Sequence, residues 1–134
     1  MREIKFRGKR LDGIWIYGDL WHRPYTKDWV TIVSFMEDTG GFVVIPETVG
    51  QYTGLKDKNG IEIYEGDIVS FEDSDGGYEY PDLVVNTGIV EYGELGFYFT
   101  NRVAVEMDDF YIKDGRCDEV EVIGNIHDNP ELMV

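Results

Sequence analysis

The sequence predicts an all-β fold with little helix, a β-sandwich or barrel, and three observations carry that prediction. Apolar and polar residues alternate with period two, as in "REIKFRGK" (residues 2–9), which sends successive side chains to opposite faces of a strand. Runs rich in β-branched and aromatic residues, such as "GIWIYGDLW" and "WVTIVSF", are bounded by Gly, Asp and Pro, which favour turns over strand interiors. Turn signals recur at short intervals, among them Leu11-Asp12-Gly13, Asp38-Thr39-Gly40-Gly41 and Asn59-Gly60.

Taken in order, the first two strands flank Leu11-Asp12-Gly13, where glycine supplies the positive φ of a hairpin reversal. A third strand is expected near Trp29 to Phe35 and a fourth in "GGFVVIP". Asn59-Gly60 is a strong hairpin signal and predicts a type I′ turn with both residues at its centre. Ile63 and Tyr64 are expected to close a short turn. Gly66 permits a bend, and Asp67 can bond nearby backbone ahead of the strand Ile68 to Phe71. Entry through Gly-Asp-Ile-Val is a frequent opening of SH3-like barrel parts. After the polar stretch "EDSDGGYEYPD" (72–82), "LVVNTGIVEYG", "GFYF", "FYI" and "EVEVIGNI" supply further strands. Only "NRVAVEMDDF" offers a weak helical alternative, through Val103 and Met107, and the tail "NPELMV" predicts a last turn opened by Pro130.

At 134 residues the chain fits one domain, with room for two intertwined β subdomains at about 1–50 and 51–134. An apolar content of 43% and an aromatic content of 14% exclude a disordered chain. No apolar run approaches the roughly 20 residues of a membrane-spanning helix, and the charged N-terminus carries no apolar signal core. A cytoplasmic protein without membrane contact is expected. Cys117 is the sole cysteine, so no intrachain disulfide can form and a reducing compartment suits the chain.

The net charge of −15 is unevenly spread. Residues 1–30 hold seven basic side chains (Arg2, Lys5, Arg7, Lys9, Arg10, Arg23 and Lys27) against four acidic ones, whereas residues 62–134 hold nineteen acidic against three basic. Nucleic-acid affinity rests on Lys and Arg neutralising phosphates, so ordinary DNA binding is disfavoured. The same asymmetry lets the basic N-terminal strand of one copy meet the acidic C-terminal half of another.

Five blocks in order carry a family resemblance: Arg2-Glu3-Ile4-Lys5-Phe6-Arg7-Gly8-Lys9; Tyr17-Gly18-Asp19-Leu20; Val49-Gly50-Gln51-Tyr52-Thr53-Gly54-Leu55-Lys56-Asp57; Ile63-Tyr64-Glu65-Gly66-Asp67-Ile68-Val69; and Glu121-Val122-Ile123-Gly124-Asn125-Ile126 with Asn129-Pro130-Glu131-Leu132. Through them the chain resembles the YopX family of small phage and prophage proteins, nearly end to end. The resemblance implies a β-rich fold with barrel-like parts, a phage or prophage origin in a Gram-positive-type bacterial host, and self-association. It implies no enzyme and transfers no functional residue.

Candidate sites follow from residue types. Gln51, Tyr52, Thr53, Lys56 and Asp57 form the most polar motif block. They line either a binding surface or a loop whose backbone groups Thr and Asp satisfy. Trp15, Tyr17 and Trp21 share one strand parity while Ile14, Ile16 and Leu20 take the other. A strand apolar on both sides needs a second sheet or a second subunit over its aromatic face. With the basic Arg2, Lys5 and Arg7, these eleven residues without the isoleucines and Leu20 make the candidate interaction surface.

Other chemistries find less support. Glu72, Asp73, Asp75, Glu79 and Asp82 crowd one loop but lack the spacing of a calcium-binding loop. His22 and His127, with one cysteine, are too few for a zinc site. No nucleophile–base pair and no glycine-rich phosphate loop is identifiable, so neither an enzyme nor a cofactor is expected. The favoured function is a non-catalytic phage accessory module that self-assembles and binds a host or phage protein. The alternative is a nucleic-acid role, either direct through Arg2, Lys5, Arg7, Lys9 and Arg10 with stacking aromatics, or indirect through acidic mimicry of DNA. An acidic-residue or metal enzyme comes third.

Overall fold

Phe6–Lys9 (β1) and Trp15–His22 (β2) pair antiparallel, with Arg7 opposite Tyr17 and Lys9 opposite Trp15, in a computed structural model of the protein. The described residues are 4–22, 30–34, 41–74, 83–93, 96–100, 105–106, 112–113, 116–117 and 119–133. They are nearly all β and include no helix of seven residues or more, as the alternation predicted. The chain divides into two units, Met1–Gly54 and Leu55–Val134.

In the first unit β2 pairs with Val30–Ser34 (β3), which pairs with Phe42–Val44 (β4), all antiparallel. A 3-10 turn at Pro46–Thr48 leads to Gly50–Lys56 (β5), whose start lies against β1 with Gln51 opposite Phe6. Because side chains alternate along each strand, the register places Phe6, Ile16, Leu20, Ile32 and Val44 on one face. There Val30, Ile32 and Val44 form a core with Phe6, Ile16, Leu20 and Val49 against it. Gly8 lies on this face, and a Cβ there would come within 2.6 Å of Val44 Cγ2. The 3-10 turn is tied to the end of β1: Ile45 N–H donates to Lys9 O (2.8 Å), Lys9 N–H to Thr48 Oγ1 (2.8 Å), and Thr48 Oγ1–H to Ile45 O (2.6 Å).

In the second unit the end of β5 turns through Asp57–Ile61 into Glu62–Tyr64 (β6). Asp67–Ser74 (β7), Leu83–Gly93 (β8), Gly96–Thr100 (β9) and Val105–Glu106 (β10) then form an antiparallel meander. The short strand at Val105–Glu106 takes the place of the weak helical alternative. Ile112–Lys113 (β11) and Arg116–Cys117 (β12) pair with each other, and Arg116 runs parallel beside Lys56 of β5. Val120–Asn125 (β13) returns beside β7, with a register shift between Val122 and Gly124, to give the sheet order β10-β9-β8-β7-β13. Ile63, Val69, Phe71, Val90, Phe97, Cys117 and Val120 form its core. Pro130–Met133 is the expected last turn.

Three local expectations change. Among the described residues neither sheet closes into a barrel, so the SH3-like detail drawn from Gly66-Asp67-Ile68-Val69 is not seen; that stretch opens β7. Ile63 and Tyr64 are strand residues of β6. The turn at Asn59-Gly60 is shifted by one residue: Gly60 N–H donates to Asp57 O (3.0 Å), which puts Lys58 and Asn59 at its centre. Gly60, at φ +82°, follows as the left-handed residue. The first hairpin repeats this arrangement, with Gly13 N–H donating to Arg10 O (2.9 Å) and Gly13 at φ +89°. A three-residue loop with left-handed glycine last suits the twist of the flanking strands as the two-residue type does.

Candidate functional site

The face of the first unit opposite its core gathers the basic and aromatic residues. Lys5, Arg7 and Lys9 share one parity, and pairing brings Tyr17 beside Arg7 and Trp15 beside Lys9. Farther along β2, Trp21 lies opposite Thr31, which lies opposite Val43 on β4. On the other side, Tyr52 N–H donates to Lys5 O (2.9 Å), which adds the Tyr52 ring to the row.

Cations lie over these rings. The Arg7 guanidinium carbon is 4.9 Å from the Trp15 ring centroid, Lys9 Nζ is 6.0 Å from the same ring, and Lys5 Nζ is 5.0 Å from that of Tyr52. Each contact is worth about 0.5–1 kcal/mol where water reaches it and about 2 kcal/mol where it does not. Arg7, at 6% exposure, belongs to the second case. The ladder holds the strand's charges against its aromatics, and beside it Tyr17 (45% exposed), Trp21 (49%) and Val43 (41%) present apolar surface to solvent. The exposed Asp19 shares this face between Tyr17 and Trp21, opposite Val33. Apolar side chains on a face whose β1 edge holds the fixed cations Arg7 and Lys9 suit recognition of a partner that offers both apolar and acidic groups. Arg10, over the Phe42 ring at 5.0 Å and paired with Asp12 at 2.8 Å, braces the hairpin end.

The candidate residues therefore divide. Lys5, Arg7, Trp15, Tyr17, Trp21 and Tyr52 come together in the first unit. Gln51 is half-buried, while Tyr52 and Thr53 are 4% and 1% exposed, so the latter two offer little surface. Lys56 is exposed but belongs to the second unit, as does Asp57. Asp57 is fully buried and spends its carboxylate on backbone: Oδ1 accepts Asn59 N–H (2.8 Å) and Ile61 N–H (2.9 Å), and Oδ2 accepts Val122 N–H (2.9 Å). Asp67, 2% exposed, likewise accepts Tyr64 N–H (2.7 Å). Arg2, Asp75, Glu79 and Asp82 lie outside the described residues, as do the side chains of His22, Glu72 and Asp73. Sequence reasoning missed the contact of Lys9 with Trp15 and that of Arg10 with Phe42. The first had a signal, since a cation two residues beyond Arg7 keeps its parity; the second had none.

Cys117 is buried in the second core, and His127 is half-buried with its N–H donated to Asn125 Oδ1 (3.0 Å). Among the described residues no three His, Cys, Asp or Glu side chains are placed to share a metal ion. No described helix is long and apolar enough to cross a membrane.

Comparison with known proteins is consistent with this two-unit β architecture. The crystal structure of protein EF1440 from Enterococcus faecalis matches with a TM-score of 0.57 and 25% sequence identity, over 100% of both chains. None of the curated proteins matches the chain. The family model for the YopX protein matches residues 5–134, nearly the whole sequence. The chain with its cation-lined aromatic sheet face thus belongs to the YopX family.

Proposed function

We propose that this YopX protein is a non-catalytic interaction and self-assembly module that binds protein partners through the Lys5–Trp15–Tyr17–Trp21 face of its first unit. The observation that carries the proposal is the exposure of Tyr17 and Trp21 on the sheet face opposite the core, where Tyr17 lies opposite Arg7 and the cations Arg7 and Lys9 lie over Trp15. Buried aromatics and arginines dominate binding energy at protein interfaces, and here both kinds of side chain are prearranged. The charge distribution supports assembly of like copies. Residues 1–54 carry seven basic and seven acidic side chains, whereas residues 55–134 carry five against twenty. An acidic second unit is the complement that the basic face of another copy would meet. A phage or prophage accessory role inside a bacterial host cell, with a host or phage protein as further partner, completes the proposal.

The test is molecular mass in solution at micromolar protein concentration. Wild type is expected to be an oligomer in low salt and to dissociate as ionic strength rises and the Debye length shrinks from about 30 Å to about 3 Å. Trp21→Ser is expected to be monomeric in low salt with its fold intact. A monomeric wild type in low salt contradicts the assembly half of the proposal.

A nucleic-acid role is the second reading, favoured by the same interleaving of aromatics and cations that single-strand binders use for stacking and phosphate contact. Opposing it, the excess of fifteen acidic side chains in the second unit repels a phosphate backbone at long range. Single-stranded or duplex DNA retarded in a gel at about 50 mM salt would favour this reading, since low salt strengthens such contacts.

A further inference from the structure

Asn59 differs from the other asparagines whose side chains are described. Asn125 precedes the branched Ile126, and its Oδ1 accepts the N–H groups of His127 (3.0 Å) and Asp128 (2.9 Å). Asn129 precedes Pro130, whose nitrogen carries no hydrogen, and its Oδ1 accepts Asn125 N–H (3.3 Å). Asn59 is exposed, and its side chain makes no hydrogen bond among the described residues. It precedes Gly60, around whose missing Cβ nothing lies within 4 Å.

We infer that Asn59-Gly60 is a deamidation site whose conversion unlocks the Asp57 clasp. The Gly60 amide nitrogen loses its proton to solvent base and attacks Asn59 Cγ. The new C–N bond forms, the Cγ–Nδ2 bond breaks, and ammonia leaves a five-membered succinimide. Water then adds to one imide carbonyl and opens the ring to aspartate, or to isoaspartate with the main chain routed through the former side chain. No oxidant, metal or second protein is required.

The structure sets both the rate and the consequence. In the closed turn Gly60 N–H is donated to Asp57 O, so the attack proceeds from the opened turn. The Asp57 carboxylate holds Asn59 and Ile61 N–H with one oxygen and Val122 N–H of β13 with the other. Isoaspartate adds one backbone carbon between the two amides held by Oδ1, so both cannot stay in place. It also sets a second carboxylate beside Asp57. Lys58 N–H to Val120 O (2.9 Å) and the Lys58–Glu121 ion pair (3.4 Å) connect the same turn to β13 and would loosen with it.

The experiment incubates the full-length protein and a synthetic peptide of residues 55–63 at mildly alkaline pH, and maps aspartate and isoaspartate by mass spectrometry. Conversion at residue 59 is expected in the folded protein about tenfold more slowly than in the peptide, the factor for a local opening of about 1.4 kcal/mol. The converted protein should lose hydrogen-exchange protection at the Val122 amide. Asn59→Gln, which cannot close the five-membered ring, should keep that protection through the same incubation. Conversion more than about 1,000-fold slower than in the peptide overturns the site. Conversion as fast as in the peptide overturns the gating, and conversion that leaves Val122 protected overturns the link to Asp57.

Discussion

Asp57 illustrates how a motif residue can be fixed by backbone needs alone. A carboxylate with no exposure is tolerable only when its charge is matched by donors, and three amide N–H groups supply them. Truncation leaves those amides buried and unpaired, so Asp57→Ala is expected to lower unfolding free energy in urea by about 4 kcal/mol. The neighbouring, exposed Lys56→Ala should stay within about 0.5 kcal/mol of wild type. Thr31 presents the opposite case: its hydroxyl is buried with no hydrogen-bond partner among the described residues. Thr31→Val keeps the shape and removes the unsatisfied group, and is expected to raise stability by about 1 kcal/mol in the same assay. At Gly8, Gly8→Ala is expected to cost about 1–3 kcal/mol by overpacking against Val44. The double variant with Val44→Ala should destabilise by less than the sum of the two single changes.

For single elements, the sequence was most legible where period two ran uninterrupted. The parity of Ile16 and Leu20 against Trp15, Tyr17 and Trp21 identified a core face and a second apolar face on β2, and the structure places them so. What no strand pattern displayed was the second half of each long-range partnership. Asp57 reaches Val122 across 65 positions of sequence. Arg116 pairs with Lys56 in parallel through a single register position. The block from Gln51 to Asp57 looked like one polar surface because its residues are adjacent in sequence. It is a strand that begins against β1 and ends in the turn clasped by Asp57, so its side chains divide between burial and solvent. Arg7 was legible as basic but not as buried, since strand parity alone sets it on the face opposite the core and does not show what lies against it. Because its guanidinium lies over Trp15, Arg7→Ala should lower the midpoint of thermal unfolding and should change the fluorescence of Trp15 in the folded state.

Across the whole molecule, the formal charge of −15 resides in residues 55–134, while residues 1–54 balance and set Arg7 and Lys9 on the sheet face that also carries Asp19. A contact between the basic face of one copy and the acidic unit of another joins different surfaces, so it closes into a ring or extends as a chain of copies. Such contacts would be screened by salt, whereas the apolar part contributed by Tyr17, Trp21 and Val43 would not. Hydroxyl-radical footprinting of Tyr17 and Trp21, followed from low to high salt at fixed micromolar protein concentration, tests the proposed interface most directly. Both rings are expected to be protected from oxidation in low salt and to become reactive in step with the fall in mass as salt is raised. Equal reactivity of Tyr17 and Trp21 in the oligomer and in the monomer would contradict it.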